Sequence, residues 1–577
     1  VHFPAGRPLP FLPSLYEYNP FADFAAAGPG TIPDRWLRCG PHTLGTGGGN
    51  WVLERLFTTD DPSAVPPRGN CFVYRNTVSQ ALFASFQAFG EAGRQSDRTP
   101  VPPLAYVIEE FIRNYVVSVH NPVLAAKRIV FNNSSGSLSP VVPSATANPR
   151  DVVAYPSASE GFTNLTTNNQ PAADAQLVGI SEDGRTVALL SQDRSKEGGA
   201  SFQAPAASLF SLTDDAMRLL ARARTVTGPI VEATLARRGG SAAISTLSDL
   251  GGVNGGTNLA HRAVFYLDGT SGAATMLTTG GSAAADSIEP AVGQEGKVVV
   301  FSSANIYDQA DGAVPAAFAN LKTLAGGGRG IFRYSVGGGA NAYRNGWVTK
   351  SLGEEPVCGK PRSATEGTFV AFQGRQLTYK GTLNTVDQIY LAVANPGAGT
   401  PWLIGAITQD PALSSGNLSM AEGAVGVGSF PPLVFESAGD YRGRRPSAVA
   451  LTDPTFSTGA TAAGNLSFRA IYLFPGSFSE NLVLVARGSD ADCLNPRISP
   501  DGTEVVFESA ATQILAPVSS GPPELEHRVV NGSKLNRIYR ARVRTLATSQ
   551  GSPSSIVERI TPEGVDVGSP ARPAIAR

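Results

Sequence analysis

The chain has little charge and no long apolar run. Charged residues make up 16% of its 577 residues, and the formal net charge is −1. Such a composition carries no basic footprint for nucleic acid or for an anionic membrane surface. No run of about eighteen apolar residues occurs, so a membrane-spanning helix is not expected. Binding to DNA or RNA is therefore the first function class to be set aside.

Cysteine and histidine are scarce. The four cysteines, Cys39, Cys71, Cys358 and Cys493, show no Cys-x-x-Cys spacing, which argues against a zinc site. Their even number leaves disulfides or buried thiols, and Cys39 with Cys71 is the candidate disulfide. The five histidines lie too far apart in sequence to form a local metal site. Cys358 and Cys493 each precede a repeated proline by three residues, and unpaired structural thiols are the favoured interpretation there.

The motifs of common enzymes are also missing. The sequence contains no Gly-x-Ser-x-Gly elbow, His-Glu-x-x-His helix, Walker loop or convincing dinucleotide fingerprint, so no catalytic or cofactor residue is assigned. Calcium candidates are limited to acidic residues in two short loops, Asp60 with Asp61 and Asp490 with Asp492. Their spacing fits no known calcium loop, so solvated turn acids remain the stronger interpretation.

Glycine, proline and apolar residues are abundant. The chain has 63 glycines and 43 prolines beside a 42% hydrophobic fraction. This combination indicates many short strands joined by turns, because the apolar content is sufficient for burial and disorder is not expected. A chain of this length exceeds what a single simple core supports, so several domains or a repeat architecture are expected.

One pattern recurs along the chain, and Asn495–Ser509 is its clearest copy. It predicts a strand, a tight Asp501-Gly502 turn and a second strand rich in β-formers. Pro496 suits the start of an edge strand because proline cannot donate to a ladder. Other copies, the last two of them eroded, are Ile180–Ser191, Pro290–Ser303, Pro361–Phe372, Gly240–Ser245 and Leu433–Ser437.

Each copy is followed by an aliphatic–aromatic pair in a short strand, for example Ile389-Tyr390 and Ile538-Tyr539. Two strand pairs make a four-stranded unit. The units are spaced by roughly 55–70 residues, more than the ~40–45 of a compact blade repeat, so long loops account for the surplus. Long loops on one face of a propeller are the expected binding surface.

These residues resemble the PD40 repeats of TolB-like β-propellers, over about residues 175–545. The resemblance implies a mainly β fold whose motif residues build turns and core and are not catalytic. Six units are visible, and residues 569–576 resemble the first strand of a seventh blade, with partners near Lys127–Phe131 and Val152–Tyr155. We expect a propeller of about seven blades over residues 126–577, closed by strands from both chain ends, with six blades as the alternative.

Residues 1–125 form an N-terminal extension with a different character. Residues 1–75 show little regular periodicity and predict an irregular segment packed on the propeller. A capping-box pair, Thr77 with Gln80, and apolar residues at helical spacing predict a first helix near 77–89. A stripe from Leu104 to Val119 with a period of 3.6 residues predicts a second, surface-lying helix.

The favoured function is an exported, non-catalytic propeller that binds a protein, peptide or glycan, as a subunit of a cell-surface or envelope assembly. The alternative is a propeller enzyme that acts on polysaccharide, a lyase or glycosidase, with carboxylates converging in the channel. The start at Val1 favours a processed, periplasmic or extracellular protein. Glycosylation sequons predict exposed loops at Asn132, Asn133, Asn164, Asn417, Asn465 and Asn531.

Overall fold

The structure is a computed structural model, and it divides into two compact units, Val1–Ala126 and Lys127–Arg577. In the first unit it describes the backbone of five strands. In the second it describes residues 128–134, 151–155, 162–166, 175–191, 206–213, 216–238, 240–250, 252, 258–269, 271–279, 284–307, 322–339, 342–343, 346–353, 355–379, 381–395, 402–422, 430–448, 457–517, 526–543, 555–562 and 565–576.

The first unit contains a β-sheet where helix and irregular chain were predicted. Its strands are β1 Leu15–Glu17, β2 Arg38–Cys39, β3 Trp51–Thr58, β4 Asn70–Asn76 and β5 Leu82–Phe86, in the order β2-β1-β5-β4-β3. The predicted helix at 77–89 is wrong, because residues 82–86 pair antiparallel with β4. Of residues 1–75, for which an irregular segment was predicted, the structure describes only the strands β1 to β4, so that expectation stays a prediction. The predicted helix at 104–119 lies outside the described residues.

The second unit consists of seven radial sheets, called blades 1 to 7. Blade 1 contains β6 Ile129–Asn133, β7 Asp151–Tyr155, β8 Thr163–Asn164 and the C-terminal β38 Ala574–Ile575. Blade 2 contains β9 Gln176–Ile180, β10 Thr186–Ser191, β11 Ser208–Thr213 and β12 Ala216–Ala221. Blade 3 contains β13 Ile230–Leu235, β14 Ala242–Ser248, β15 Asn258–Leu267 and β16 Ala274–Met276.

Blade 4 contains β17 Ser287–Val292, β18 Val298–Ser303 and β19 Gly330–Ser335. Blade 5 contains β20 Val357–Ala364, β21 Phe369–Arg375, β24 Gln388–Ala394 and β25 Trp402–Ala406, with a small hairpin of β22 Leu377–Tyr379 and β23 Thr382–Asn384. Blade 6 contains β26 Ser415–Met420, β27 Leu433–Gly439, β30 Asn465–Phe474 and β31 Val483–Gly488. Blade 7 contains β32 Cys493–Ile498, β33 Glu504–Ser509, β36 Arg537–Val543 and β37 Ser555–Arg559.

The seven innermost strands close a ring. Each contacts the next in the order β38, β9, β13, β17, β20, β26 and β32, and β32 returns to β38. The joint is made by the two ends of the unit, since Ala574 pairs with Val130 and Ile575 with Ile129. Closure removes the exposed sheet edges that an open array would leave. The prediction of seven blades closed by C-terminal and N-terminal strands is confirmed.

Two neighbouring blades are widened by hairpins from the blade that follows. Strands β28 Ser447–Ala448 and β29 Ser457–Thr458 lie between β27 and β30 of blade 6 in sequence, yet they extend blade 5. Strands β34 Gln513–Pro517 and β35 Glu526–Val530 come from blade 7 and extend blade 6. The surplus length between the repeats is therefore used partly to cover outer blade edges.

Strand order gives the propeller two different faces. Within a blade the strands run antiparallel and are called a to d from the channel outward. The a–b and c–d connections therefore lie at one end of the blade, and the b–c and d–a connections lie at the other. The a–b turns are short, as at Asp501-Gly502. We call their side the short-turn face and the opposite side the long-loop face.

The two repeated sequence signatures meet inside each blade. In blades 4 to 7 the phenylalanine of strand b stacks on the aromatic residue of strand c, as in Phe507 on Tyr539 with ring centroids 5.4 Å apart and in Phe372 on Tyr390 at the same distance. These rings are fully buried and form part of the apolar clusters between blades. Such stacking adds to the free energy of area burial.

Helix is almost absent from the described part of the propeller. Two short 3₁₀ helices, Ala325–Gly327 and Lys350–Leu352, lie in connections of blades 4 and 5. In the part of the chain that the structure describes, no helix has the length and apolar character needed to cross a membrane.

Candidate functional site

The central channel is ringed by residues in a left-handed backbone conformation. Five non-glycine residues with positive φ occupy equivalent positions in or beside the inner strands of blades 4, 5, 6, 7 and 1: Glu289, Lys360, Asn417, Asn495 and Arg572. Where the register can be followed, the a–b ladder is interrupted at this point by a bulge. Because such backbone costs free energy in L-residues, neighbouring groups must hold it.

Carboxylates of the preceding blade hold three of these residues. The N–H of Glu289 donates to Glu232 Oε2 at 2.6 Å, and the N–H of Lys360 donates to Glu289 Oε2 at 2.7 Å. The N–H of Asn495 donates to Glu436 Oε2 at 3.0 Å. Glu289 takes part in two of these bonds: its N–H donates to blade 3, and its carboxylate accepts from the Lys360 N–H of blade 5. The acidic residues of the inner ring thus stabilise the joints between blades.

A second set of blade-to-blade bonds comes from the residue that follows the buried phenylalanine or isoleucine of strand b. Glu508 Oε2 accepts from the N–H of Ala571, which leads into β38. Ser302 Oγ donates to the carbonyl of Cys358, and Ser245 Oγ donates to the carbonyl of Ser287. Asn132 of blade 1 makes two such bonds to the chain that enters blade 2. This position varies in type and is buried throughout, which is why the repeat motif did not reveal it.

The short-turn end of the channel is crossed by charged side chains. Arg237 follows strand a of blade 3 and reaches blade 6, where its Nε lies 3.0 Å from Glu422 Oε1. Gln294 of blade 4 donates to Glu182 of blade 2 at 2.7 Å. Burial raises the pKa of Glu422, although Arg237 acts in the opposite direction. The first link joins blades on opposite sides of the ring, the second joins blades separated by one, and both place side chains across this mouth.

Two further arginines lie inside the ring. Arg362 of blade 5 and Arg497 of blade 7 are half-buried, and each donates from Nη1 to the carbonyl of the proline before it. Burial and the positive charges of Arg362, Arg572 and Arg237 lower the pKa of Arg497 to about 9, against an opposing effect of Glu436. These groups come from blades 1, 3, 5 and 6, so Arg497 projects towards the axis.

A charged cluster lies between blades 3 and 4 towards the long-loop face. Arg262 Nε lies 3.3 Å from Asp286 Oδ2, and Arg262 Nη1 lies 3.7 Å from Glu232 Oε1. His261 Nδ1 lies 3.6 Å from Asp286 Oδ1. Burial raises the pKa of Glu232 more than its hydrogen bond with the Glu289 N–H and the charge of Arg262 lower it. The Glu232 carboxyl thus lies against the backbone of Glu289 in the next blade, and the charge of Glu289 also raises its pKa.

Exposed large apolar side chains share one side of the propeller. In the described residues these are Val226 at 74% exposure, Val231 at 47%, Leu383 at 53% and Val530 at 63%. Val226 lies in a d–a connection and Val231 begins strand a of blade 3. Leu383 and Val530 lie in b–c segments of blades 5 and 7. All four therefore belong to elements of the long-loop face.

The cysteines behave partly as expected. Cys358 and Cys493 are free and fully buried, which confirms their assignment as structural thiols, and burial raises the pKa of Cys493 to about 12. Cys39 lies on β2 and Cys71 on β4, and β1 and β5 separate these strands. This order does not favour a Cys39–Cys71 disulfide, which stays a prediction.

The calcium candidates are engaged in other bonds where they are described. Asp490 Oδ1 accepts from the N–H of Thr512 at 2.7 Å, and Asp492 Oδ1 accepts from the N–H of Arg469 at 2.7 Å. Asp60 and Asp61 lie outside the described residues. Over the described ranges, no three His, Cys, Asp or Glu side chains gather as a metal site requires.

The sequons do not mark exposed loops as predicted. Asn465 is exposed and Asn417 is half-buried at the channel, whereas the other four asparagines, Asn132, Asn133, Asn164 and Asn531, are buried. Asn132 and Asn133 lie in the second strand of blade 1, Asn164 of its outermost strand accepts from Thr166 Oγ1, and Asn531 donates to the carbonyl of Ala511. The prediction is therefore wrong for these four positions.

Comparison with known proteins gives the fold alone. No family model matches the sequence, and no curated protein matches it. Solved structures that match include TolB from Acinetobacter baumannii, at 11% identity over 69% of this chain and 79% of that one with a TM-score of 0.32. Oligogalacturonate lyase from Vibrio parahaemolyticus matches at 10% identity over 72% and 82%, with a TM-score of 0.34. Dipeptidyl peptidase 4 from Porphyromonas gingivalis matches at 13% identity over 71% of this chain and about half of that one, 55%, with a TM-score of 0.37. The assignment of a seven-bladed β-propeller rests on the strand order and ring closure of this chain itself.

Proposed function

We propose that this protein is a non-catalytic β-propeller that binds a partner protein on its long-loop face. The observation that carries the proposal is the distribution of exposed apolar side chains. Val226, Val231, Leu383 and Val530 all lie on elements of that face. Exposed apolar side chains that lie on one face of a protein are a property of protein-binding surfaces.

The structure of the channel also favours ligand entry from the long-loop face. Arg237 and Glu422 connect blades 3 and 6 at the short-turn end, and the Gln294–Glu182 bond joins blades 4 and 2. A ligand that reaches the inner ring therefore enters from the long-loop face. That face carries the b–c segments, and loops held by a rigid scaffold are the usual place for binding sites.

The inner carboxylates hydrogen-bond to the backbone of neighbouring blades, which favours a structural role for them over a catalytic one. Glu232 and Glu289 each accept a backbone N–H of the next blade, and Glu436 accepts both the Asn495 N–H and Arg469 Nη1. A general acid or base must exchange protons with a substrate, and these groups are oriented away from that task by their bonds.

The test is affinity capture with matched variants. The wild-type chain should recover one protein in stoichiometric amount from its native source, identified by mass spectrometry. Leu383→Asp, Val226→Asp and Val530→Asp, each placing a charge on the apolar surface, should lower recovery at least about tenfold. Thr503→Asp, an exposed change on the short-turn face, is the control. Equal recovery by all variants, or no stoichiometric protein with the wild type, would overturn the proposal.

A polysaccharide-active enzyme is the second candidate, and one observation favours it. Glu232 accepts the backbone N–H of Glu289 and lies 3.7 Å from Arg262 Nη1, and burial raises the pKa of Glu232. Two carboxyl groups in different environments are the usual arrangement of an acid–base pair. Reducing-end release from a panel of uronate and neutral polysaccharides tests it. Activity that Glu232→Gln abolishes would replace the binding proposal with this one.

The cellular location stays a prediction. An exported protein remains our expectation, and fractionation of the source cells followed by immunodetection checks it. Recovery of the full-length chain with the cytoplasmic markers alone would contradict this expectation.

A further inference from the structure

The inner ring contains a level at which large and small residues alternate around the channel. This level lies two residues after each left-handed residue, and it comprises Ala291, Arg362, Ser419, Arg497 and Ala574 in blades 4, 5, 6, 7 and 1. Two arginines are thus separated by one serine and flanked by alanines. The small neighbours leave the two guanidinium groups as the main functional groups at this depth.

These arginines lack a carboxylate partner within the described residues. Their hydrogen bonds are the ones from Nη1 to the carbonyls of Pro361 and Pro496. The nearest acids have other partners, since Glu289 accepts the Lys360 N–H and Glu436 pairs with Arg469 Nη1 at 2.8 Å. Each guanidinium keeps further N–H donors that no described side chain uses.

Other positive charges in the ring add to the electrostatic repulsion that Arg497 experiences. Arg572 and Arg237 act on Arg497 with the same sign, and Lys360 directs its Nζ to Asn417 at 3.0 Å. Like charges brought together in a half-buried channel repel each other, because water screens them less there. An anion between them would relieve that repulsion and satisfy the unused donors.

We propose that the channel contains an oxyanion-binding site in which Arg362 and Arg497 bind a carboxylate, sulfate or phosphate group that enters from the long-loop face. The guanidinium fork matches the two oxygens of such groups and forms paired charge-assisted bonds. Ser419 lies between the two arginines in the ring. Its Oγ accepts the Ile498 N–H at 3.3 Å, so its hydroxyl proton is available to donate.

Isothermal titration calorimetry on the full chain tests the site with three probes: sodium sulfate, inorganic phosphate and citrate. Sodium chloride keeps the ionic strength constant. At least one probe should bind saturably with a stoichiometry of one. Phosphate and sulfate without citrate would assign a tetrahedral oxyanion, and citrate alone a carboxylate ligand. Binding of none of the three beyond the chloride baseline would overturn the proposal.

Variants tie any binding to these residues. Arg362→Gln and Arg497→Gln should each weaken binding at least about tenfold, which corresponds to about 1.4 kcal/mol. Arg497→Lys keeps the charge without the fork and should recover part of the affinity. Arg445→Gln changes an exposed arginine that donates to the carbonyl of Ser479, and it should bind like wild type. Equal binding by Arg445→Gln, Arg362→Gln and Arg497→Gln would contradict the assignment.

Thermal unfolding separates loss of the site from loss of the fold. Without an oxyanion, Arg497→Gln should unfold at the same temperature as wild type or higher, because it removes an unpaired charge. With saturating probe, wild type should become the more stable protein. A variant that is less stable without probe and shifts by the same amount with it would show that Arg497 has a structural role only.

Discussion

Glu508 joins the last blade to the first, and its removal should open that joint. The side chain is fully buried in strand b of blade 7. Its Oε2 accepts from the Ala571 N–H at 2.8 Å and from Asn536 Nδ2 at 2.6 Å, and its Oε1 accepts from Asn495 Nδ2. Ala571 leads directly into β38, the strand that closes the ring. Glu508→Ala leaves all three donors without this acceptor.

The magnitude follows from those three donors. A buried donor left unsatisfied costs about 1–3 kcal/mol, so we expect Glu508→Ala to lower the free energy of unfolding by about 3–6 kcal/mol, with partial rehydration included. Glu508→Gln keeps one oxygen acceptor in the same shape, so we expect a smaller loss of about 1–2 kcal/mol. The control is Glu558→Ala in the same blade, whose carboxylate is 43% exposed and pairs with Arg540. An exposed ion pair contributes only about 0–1 kcal/mol.

Urea unfolding followed by far-UV circular dichroism measures these differences, as the shift in midpoint multiplied by the slope of the transition. The expected order of stability is wild type, then Glu558→Ala, then Glu508→Gln, then Glu508→Ala. A loss for Glu508→Ala no larger than that of Glu558→Ala would refute the view that this residue holds the ring closed.

Three further predictions concern a turn, the thiols and the channel. Gly502 has φ +76°, and a Cβ there would lie 3.3 Å from Pro432 Cγ. Gly502→Ala should therefore lower the free energy of unfolding, measured in urea, by about 1–2 kcal/mol. Gly464→Ala, where a Cβ would meet open space, is the control and should lower it by less than half of that. Cys358 and Cys493 should resist a thiol reagent at pH 8 until the chain is unfolded, because both are buried and have raised pKa values. Peptide mass spectrometry measures the labelling, and a label on either cysteine in the native protein would contradict their burial. Sulfate affinity should fall as the pH rises through about 9, because Arg497 loses its proton there. The charged groups that act on Arg497 are Arg362, Arg572, Arg237 and Glu436. Calorimetry at pH 7 and at pH 10 measures the change, and an equal affinity at both would contradict this prediction.

The propeller fold could be predicted from the sequence because a short strand–turn–strand pattern recurs in most blades. The Asp501-Gly502 turn and the buried rings Phe507 and Tyr539 are set by residues close in sequence. Even the closing strand was predicted, since residues 569–576 resemble a first strand without partners. Local propensity and burial agree at these positions, so the pattern specifies the structure.

The first unit shows where such reasoning fails. Leu82 and Phe86 are four residues apart and fit one helical face, but they also fit a strand rich in aromatic residues. Their pairing with Arg75 and Cys71 on β4 decides between the two, and that partner is not encoded within the segment itself. Tertiary pairing overrides a helix signal in this way when a strand partner is present.

The candidate site was less predictable for a related reason. Arg362 and Arg497 each follow a repeat proline and look like ordinary exposed residues in separate copies. Only the ring brings them to one level of the channel, where the charges of Arg572 and Arg237 also act on Arg497. The blade-to-blade bonds of Glu508, Glu436 and Ser302 were hidden because their position accepts several residue types, provided that each reaches the next inner strand.

The partner surface and the oxyanion site can be one functional unit or two, and one experiment separates these cases. Arg362 and Arg497 lie inside the ring, whereas Val226 and Leu383 lie on the long-loop face that leads to it. If the partner supplies the oxyanion, for example as an acidic side chain inserted into the channel, then Arg362→Gln with Arg497→Gln should lower partner recovery. Free sulfate should then compete with the partner at constant ionic strength. We expect this coupled behaviour, because the crossed short-turn mouth leaves the long-loop face as the entrance to both. Recovery that is unchanged by the double substitution and by sulfate, while Leu383→Asp still abolishes it, would show that the two sites act independently.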